Sequence, residues 1–257
     1  MNRVAIIAAM PGELKPLVRG WWHERSNGVD LWRSGFLNEN GDGGEWIAAC
    51  AGAGVEAATR AFAEAERAFR GSRSPVGTRS SAETRAAAEA EEAVSIDALV
   101  STGWAGALRE ELTPGEAYRV SGVIDARTGE RFVTASPPND LWLVTTPSVA
   151  GAAEKQHLAS TYQADLVDME AAGIARLAAM RGIPFYCVKG VSDGFSDQLP
   201  DFNRFISTDG QFRLVRFVVF ALFRPWRWPA LMRMGENSNR AAQAMASSLL
   251  DLLKRFA

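Results

Sequence analysis

An α/β fold, a sheet with helices packed against it, is predicted for this chain by three observations. Short apolar runs recur without polar alternation, as in strands buried on both faces. Stretches with helical spacing separate those runs. Glycine-bearing or polar turns follow several of them, at the strand ends where open α/β sheets place their ligands. The 257 residues are enough for one domain with a well-buried core.

The elements follow in chain order. "RVAIIAAM" (3–10) reads as a buried strand, and "MPGEL", with Glu13, follows it. "EWIAACAGAG" (45–54) is a strand running into a glycine turn. "VEAATRAFAEAERAF" (55–69) places apolar residues at 55, 58, 62, 65 and 69, a helical spacing. "DALVSTGWAGAL" (97–108) is a strand expected to enter a Gly-rich turn over 101–106. The middle, about 115–146, holds shorter strand-like pieces such as "EAYRVSGV" and "LWLVTTP". "VDMEAAGIARLAAMRG" (167–182) is helical, with Gly182 and Pro184 as stop signals. "PFYCVKGVSDG" (184–194) is another buried strand, ending in a polar turn with Ser192 and Asp193. Two segments depart from this alternation. Residues 71–95, rich in Ser, Arg, Ala and Glu, read as a flexible insertion. Residues 209–235 form an apolar, Arg- and Trp-rich insertion before a C-terminal helix. One domain spans 1–257.

Composition narrows the chemistry. With 47% hydrophobic and 23% charged residues, the chain matches a soluble globular protein. A net charge of −2 gives no electrostatic reason to expect nucleic acid. Cys50 and Cys187 lie in apolar runs and read as small buried hydrophobes. With only His23 and His157 besides, no metal-ligand spacing arises, and neither a metal nor a cofactor is expected. The N-terminal apolar run is too short for a signal peptide, so a reducing, cytoplasmic setting is expected. Three carboxylates, Glu13, Glu170 and Asp193, fall at one end of the predicted sheet, with no Cys–His or Ser–His pair. Carboxylates working without such a pair suit glycosidic bond cleavage. At the strand–helix junction "VDME", the acids Asp168 and Glu170 have two readings. They can cap the helix, or they can serve a substrate.

The stretches "AAMPGEL", "AGAGVEAA", "STGWAGAL" and "VDMEAAGIARLAAMRGIPFYCVKGVSDG", in that order, resemble the nucleoside phosphorylase/nucleosidase superfamily. The chain is most similar to its methylthioadenosine/S-adenosylhomocysteine nucleosidases and hopanoid-associated phosphorylases. The resemblance implies a single-domain phosphorylase/hydrolase-like α/β fold, with a mixed central sheet flanked by helices, and a homodimer. It implies that Glu170 accepts the ribose hydroxyls and stabilises an oxocarbenium-like transition state, with Met169 packed on the sugar. It implies that Asp193 delivers a proton toward purine N7, a role calling for a raised pKa. Glu13 then binds and deprotonates the attacking water, and Asp168 remains the helix cap. Trp104, Ala105, Gly106 and Ser192 complete the expected substrate-binding set, with Val149 of "TPSVA" (146–150) beside the base. Trp104 departs from the pattern, which commonly has a small polar residue there.

An adenine-releasing nucleosidase acting on a 5′-substituted adenosine is the expected function. Phosphorolysis is its close rival, and a non-catalytic nucleoside-binding protein is the alternative from another class. Neither "MPGEL" nor "AGAG" offers an arginine for phosphate, so water is the expected nucleophile. Aspartate at 193, where 6-oxopurine enzymes of the family often carry Asn, favours adenine. In "FRLVRFVVFALFRPWRWPALMRM" (212–234), Arg213, Arg216, Arg224 and Arg227 fall within about 80° of a helical wheel. The opposite face is aromatic and aliphatic, so the segment reads either as a core or dimer-interface helix, the reading Pro225 favours by disturbing the register, or as a helix in peripheral contact with a membrane.

Overall fold

The structure is a computed structural model describing residues 2–37, 43–71, 95–137, 139–197, 202–205, 207, 213, 217 and 228–256. Residues 72–94 of the insertion expected at 71–95, and most of the Arg/Trp-rich segment at 209–235, therefore lie outside the described residues. Of the four arginines in the stripe, only Arg213 is described. Among the described residues, no helix is long and apolar enough to cross a membrane.

The predicted α/β architecture is borne out, as is the mixed sheet. Its strands are β1 (Asn2–Ala8), β2 (Trp22–Ser26), β3 (Val29–Leu37), β4 (Gly43–Cys50), β5 (Ala98–Ala107), β6 (Ala117–Arg119), β7 (Gly122–Asp125), β8 (Arg131–Val133), β9 (Trp142–Thr145), β10 (Leu166–Asp168) and β11 (Phe185–Asp193). The main order is β2-β3-β4-β1-β5-β10-β9-β7-β8, and β11 pairs with both β5 and β6. Strands β1, β4, β5 and β11 run parallel to one another. Strand β10 crosses to β5 antiparallel and lies parallel to β9.

Among the described residues, five α-helices accompany the sheet: α1 (Pro11–Leu14), α2 (Val55–Gly71), α3 (Ala152–Tyr162), α4 (Ala171–Arg181) and α5 (Trp228–Leu253). Helix α2 buries Ala58, Phe62, Ala65 and Phe69, four of the five apolar positions that predicted it. It packs with α4 on one face of the sheet, over Ile7, Leu99 and Cys187. Helix α5 covers the other face through Ala242, Met245 and Leu249, against Val4, Val100 and Val188. Both cysteines are buried and free, as read from the sequence. Helix α4 ends where Gly182 takes a left-handed φ of +64°.

The structure corrects one expectation and adds elements, α1, β2, β3 and α3, that the sequence pattern does not show. "STGWAG" is not a turn: β5 runs through it to Ala107. The cause is pairing on both edges. Strand β11 lies beside residues 99–106, while β1 and then β10 take the other edge. Strands β2 and β3 form a hairpin that the apolar-run criterion passed over. Their turn is Asn27-Gly28, with φ values of 50° and 79°, a dipeptide suited to tight hairpin turns. Helix α3 was also passed over. It buries only Lys155 and Leu158, so its apolar stripe is too thin to give a period.

Candidate active site

A cavity of about 270 Å³ lies at the carboxyl ends of β1, β4, β9, β10 and β11, with β5 passing through it. Its lining includes every residue expected for the site: Glu13, Trp104, Ala105, Gly106, Val149, Met169, Glu170, Ser192 and Asp193. Residues 192 and 193 reach it through an irregularity. The register of β11 against β5 shifts between Val191 and Asp193, a device that re-aims side chains at strand ends.

Glu13 is held by the backbone. Its Oε2 accepts the N–H groups of Ala9 at 2.9 Å and Met10 at 2.8 Å, and its Oε1 accepts that of Trp104 at 2.8 Å. Burial pushes its pKa up, against the opposing pull of these amides and of the Lys189 charge. Gly103 is what lets β5 approach so closely. Its φ is +132°, and a Cβ there would stand 2.8 Å from Glu13 Oε1. Trp104 departs from the small polar residue expected, yet its backbone serves the carboxylate. Its indole turns away, lies over Gly12 and donates from Nε1 to the Ser238 carbonyl of α5 at 3.0 Å.

Glu170 takes its position from the glycine turn after β4. The Gly54 N–H donates to its Oε1 at 2.7 Å. Its pKa is pushed up to about 8, first by burial and next by the neighbouring charge of Asp168. Asp168 plays the capping part read from the sequence: its Oδ2 accepts the Ala171 N–H in the first turn of α4 at 2.9 Å. It does more than cap. Thr145 Oγ1 donates to Oδ1 at 2.6 Å, and the fully buried Lys189 pairs with Oδ2 at 2.8 Å. Burial by itself pulls the Lys189 pKa down, but the charges of Asp168 and Glu170 help to drive it well above the usual lysine value. One ammonium thus serves three carboxylates, Glu13, Asp168 and Glu170.

Asp193 is arranged differently. Ser192 Oγ donates to its Oδ1 at 2.5 Å, and Lys155 Nζ donates to its Oδ2. The same ammonium donates to the Gly194 carbonyl at 2.6 Å. Lys155 and Asp193 are both buried, at 1% and 5% exposure. The two buried lysines were not among the residues the sequence brought forward. Lys189 lay in a quoted strand, "FYCVKGVSD", and a lysine inside so apolar a run was a legible signal. Lys155 lay in "AAEKQHLAS", where nothing distinguishes it from a surface lysine.

Val149 reaches the cavity wall, but its main chain is engaged. Asn203 Oδ1 accepts its N–H at 2.8 Å and Asn203 Nδ2 donates to its carbonyl at 3.2 Å. Met10, Phe202 and Met234 add apolar surface to the same cavity. Both histidines, His23 and His157, are exposed on the outside of the molecule.

The family model of the phosphorylase superfamily matches residues 3–147 and 141–213. No curated protein matches the chain. Among solved structures, the chain is similar to a 5′-methylthioadenosine/S-adenosylhomocysteine nucleosidase from Helicobacter pylori with butyl-thio-DADMe-Immucillin-A. The TM-score is 0.66 and the identity 16%, over 99% of each chain. It is similar to the futalosine hydrolase of Helicobacter pylori strain 26695, with TM-score 0.66 and 14% identity, over 99% of this chain and 98% of that one. It is also similar to a 5′-methylthioadenosine nucleosidase from Arabidopsis thaliana, with TM-score 0.63 and 15% identity, over 100% of this chain and 96% of that one.

Proposed function

This chain belongs to the phosphorylase superfamily, and from that premise we propose that it hydrolyses the N-glycosidic bond of a 5′-substituted adenosine, with water as the nucleophile. The observation that carries the choice of water is the seat of Glu13. Three backbone N–H groups converge there, the arrangement an anion would use, and the carboxylate of Glu13 already occupies all three. Among the described lining residues there is no arginine to hold phosphate instead. A second anion brought to this place would meet Glu13 as a like charge. A water molecule would meet a hydrogen-bond acceptor and a base.

In this reading the C1′–N9 bond lengthens first, and its electron pair passes to the purine. Positive charge grows on the ribose, where the Glu170 carboxylate favours the transition state more than the ground state. Asp193 passes a proton to N7, making the base a better leaving group. Glu13 takes a proton from water as the new O–C1′ bond forms. The apolar surface of Met10, Phe202 and Met234 suits an apolar 5′-substituent. Adenine as the base rests on aspartate at 193, which can both give a proton and accept one from an exocyclic amino group. The similar solved proteins include nucleosidases named for 5′-methylthioadenosine.

The test is adenine release from 5′-methylthioadenosine in buffers with and without phosphate. Equal rates in both are expected, with free 5-methylthioribose as the sugar product. Turnover that requires phosphate and yields the sugar 1-phosphate would overturn the choice of water. Adenine binding with no turnover in either buffer would leave a binding protein.

A further inference from the structure

We propose that Lys155 is a positioning residue for this reaction: it fixes the Asp193 carboxylate against the base and supplies the proton that Asp193 relays to it. The proposal rests on the nucleosidase reading above and concerns a residue that neither the sequence pattern nor the family resemblance brought forward. Helix α3 buries just two side chains, and one of them is this lysine. Stability does not explain the choice. Lys155 stands in the first turn of the helix, where the dipole disfavours a cation. It makes a buried ion pair, for which the desolvation cost offsets most of the attraction, so an apolar pair in place of both Lys155 and Asp193 would serve the fold as well.

The geometry does explain it. Asp193 is held on both oxygens, by Ser192 on Oδ1 and by Lys155 on Oδ2, so its plane is set before a base arrives. Lys155 is itself anchored by the Gly194 carbonyl. Strand β5 leaves space for the pair at Gly106. A Cβ there would lie 3.0 Å from both Asp193 Oδ2 and Lys155 Cε. The proton balance follows from the contacts. As the C1′–N9 electron pair passes to the purine, Asp193 protonates N7. The ion-paired Asp193 has no proton of its own, so the proton it passes to N7 comes from the Lys155 ammonium along the Nζ–Oδ2 contact, and Asp193 is left ionised as before. The neutral amine regains a proton from water when the base departs.

The experiment uses the full chain and 5′-methylthioadenosine, with Lys155→Met, Lys155→Arg, Asp193→Asn and the Met/Asn double variant. Lys155→Met should lower kcat about 100-fold and leave KM within about threefold, the size of effect expected for general-acid catalysis. Lys155→Arg keeps the charge but does not give up its proton, so it should fall between, about tenfold below wild type. In the Asp193→Asn background the further loss from Lys155→Met should shrink to about threefold or less, because two residues acting as a unit are not additive. A purely structural lysine would give undiminished losses in that background, and this result would overturn the proposal. So would a Lys155→Arg enzyme with wild-type kcat. That variant decides the matter even where Lys155→Met fails to fold. Wild-type protein without adenine release in either buffer would sink the nucleosidase reading and the proposal together. An active wild type with an indifferent Lys155 would sink the proposal alone.

Discussion

The two ends of the cavity solve the same electrostatic problem in opposite ways. Around Glu13, three buried carboxylates share one lysine, Lys189. Around Asp193, one carboxylate has one lysine to itself. Burial pushes the acids of the crowded end toward the neutral form, Glu13 upward and Glu170 to about 8, and the charge of Asp168 adds to the shift of Glu170. The balanced end is a closed pair. The proposed chemistry needs this difference. A group that takes a proton from water must be a base at working pH, and a carboxylate of ordinary pKa is a weak one. A group that gives a proton to a departing base gains from a neighbour that can supply it.

The largest effect should come from removing the shared cation. Lys189→Met leaves Asp168 buried at 0% side-chain exposure with no ammonium beside it. A loss of about 3–5 kcal/mol in unfolding free energy is expected, read by urea denaturation. A loss below about 1 kcal/mol would mean that the three carboxylates can share protons without the lysine. Next comes Glu13→Gln. The amide presents one oxygen and one NH2 group to three N–H donors that now find two carboxylate oxygens. We expect kcat for adenine release to fall about 10²-fold or more, at little cost in adenine binding measured by calorimetry. An unchanged kcat would move the water-activating role away from this end.

The pH response sharpens the comparison further. In the folded state Glu170 has its pKa pushed up to about 8, well above the usual carboxylate range. The fold therefore favours its protonated form, and that contribution is complete at low pH and lost as pH rises through about 8. Thermal unfolding of wild type against Glu170→Gln should show the wild type losing ground between pH 5 and about 8.5, since the variant cannot titrate there. A constant gap between the two would contradict a raised pKa. Activity should move the other way. The ionised carboxylate is the proposed working form, so kcat/KM should climb toward a plateau above about pH 8. The smallest effect is expected at Gly103→Ala. The added methyl must displace the Glu13 carboxylate and strain a backbone at φ +132°. We expect about a tenfold loss in kcat, with adenine binding at the Asp193 end unchanged. A matching loss of adenine binding would show that the two ends are mechanically coupled.

The sequence by itself determined most of the frame. Apolar runs without alternation marked β1, β4, β5 and β11, because a strand covered by helices on both faces has no solvent side to record. Helical spacing marked α2 and α4, whose buried stripes face the sheet. The three carboxylates were legible because each follows a strand or opens a helix, and strand ends in an α/β sheet converge. The dual part of the "VDME" acids was also written locally: a cap is made within one turn, and Asp168 makes it with Ala171. Tertiary structure alone decided the rest. That "STGWAG" is strand rather than turn depended on β1, β10 and β11 closing both of its edges, which no local pattern encodes. That Trp104 supports Glu13 with its amide while its ring leaves for α5 depended on a helix 134 residues further along the chain. Lys155 was invisible for the same reason. A lysine is read as solvated until the partner that makes its burial tolerable comes into view, and Asp193 lies 38 residues away.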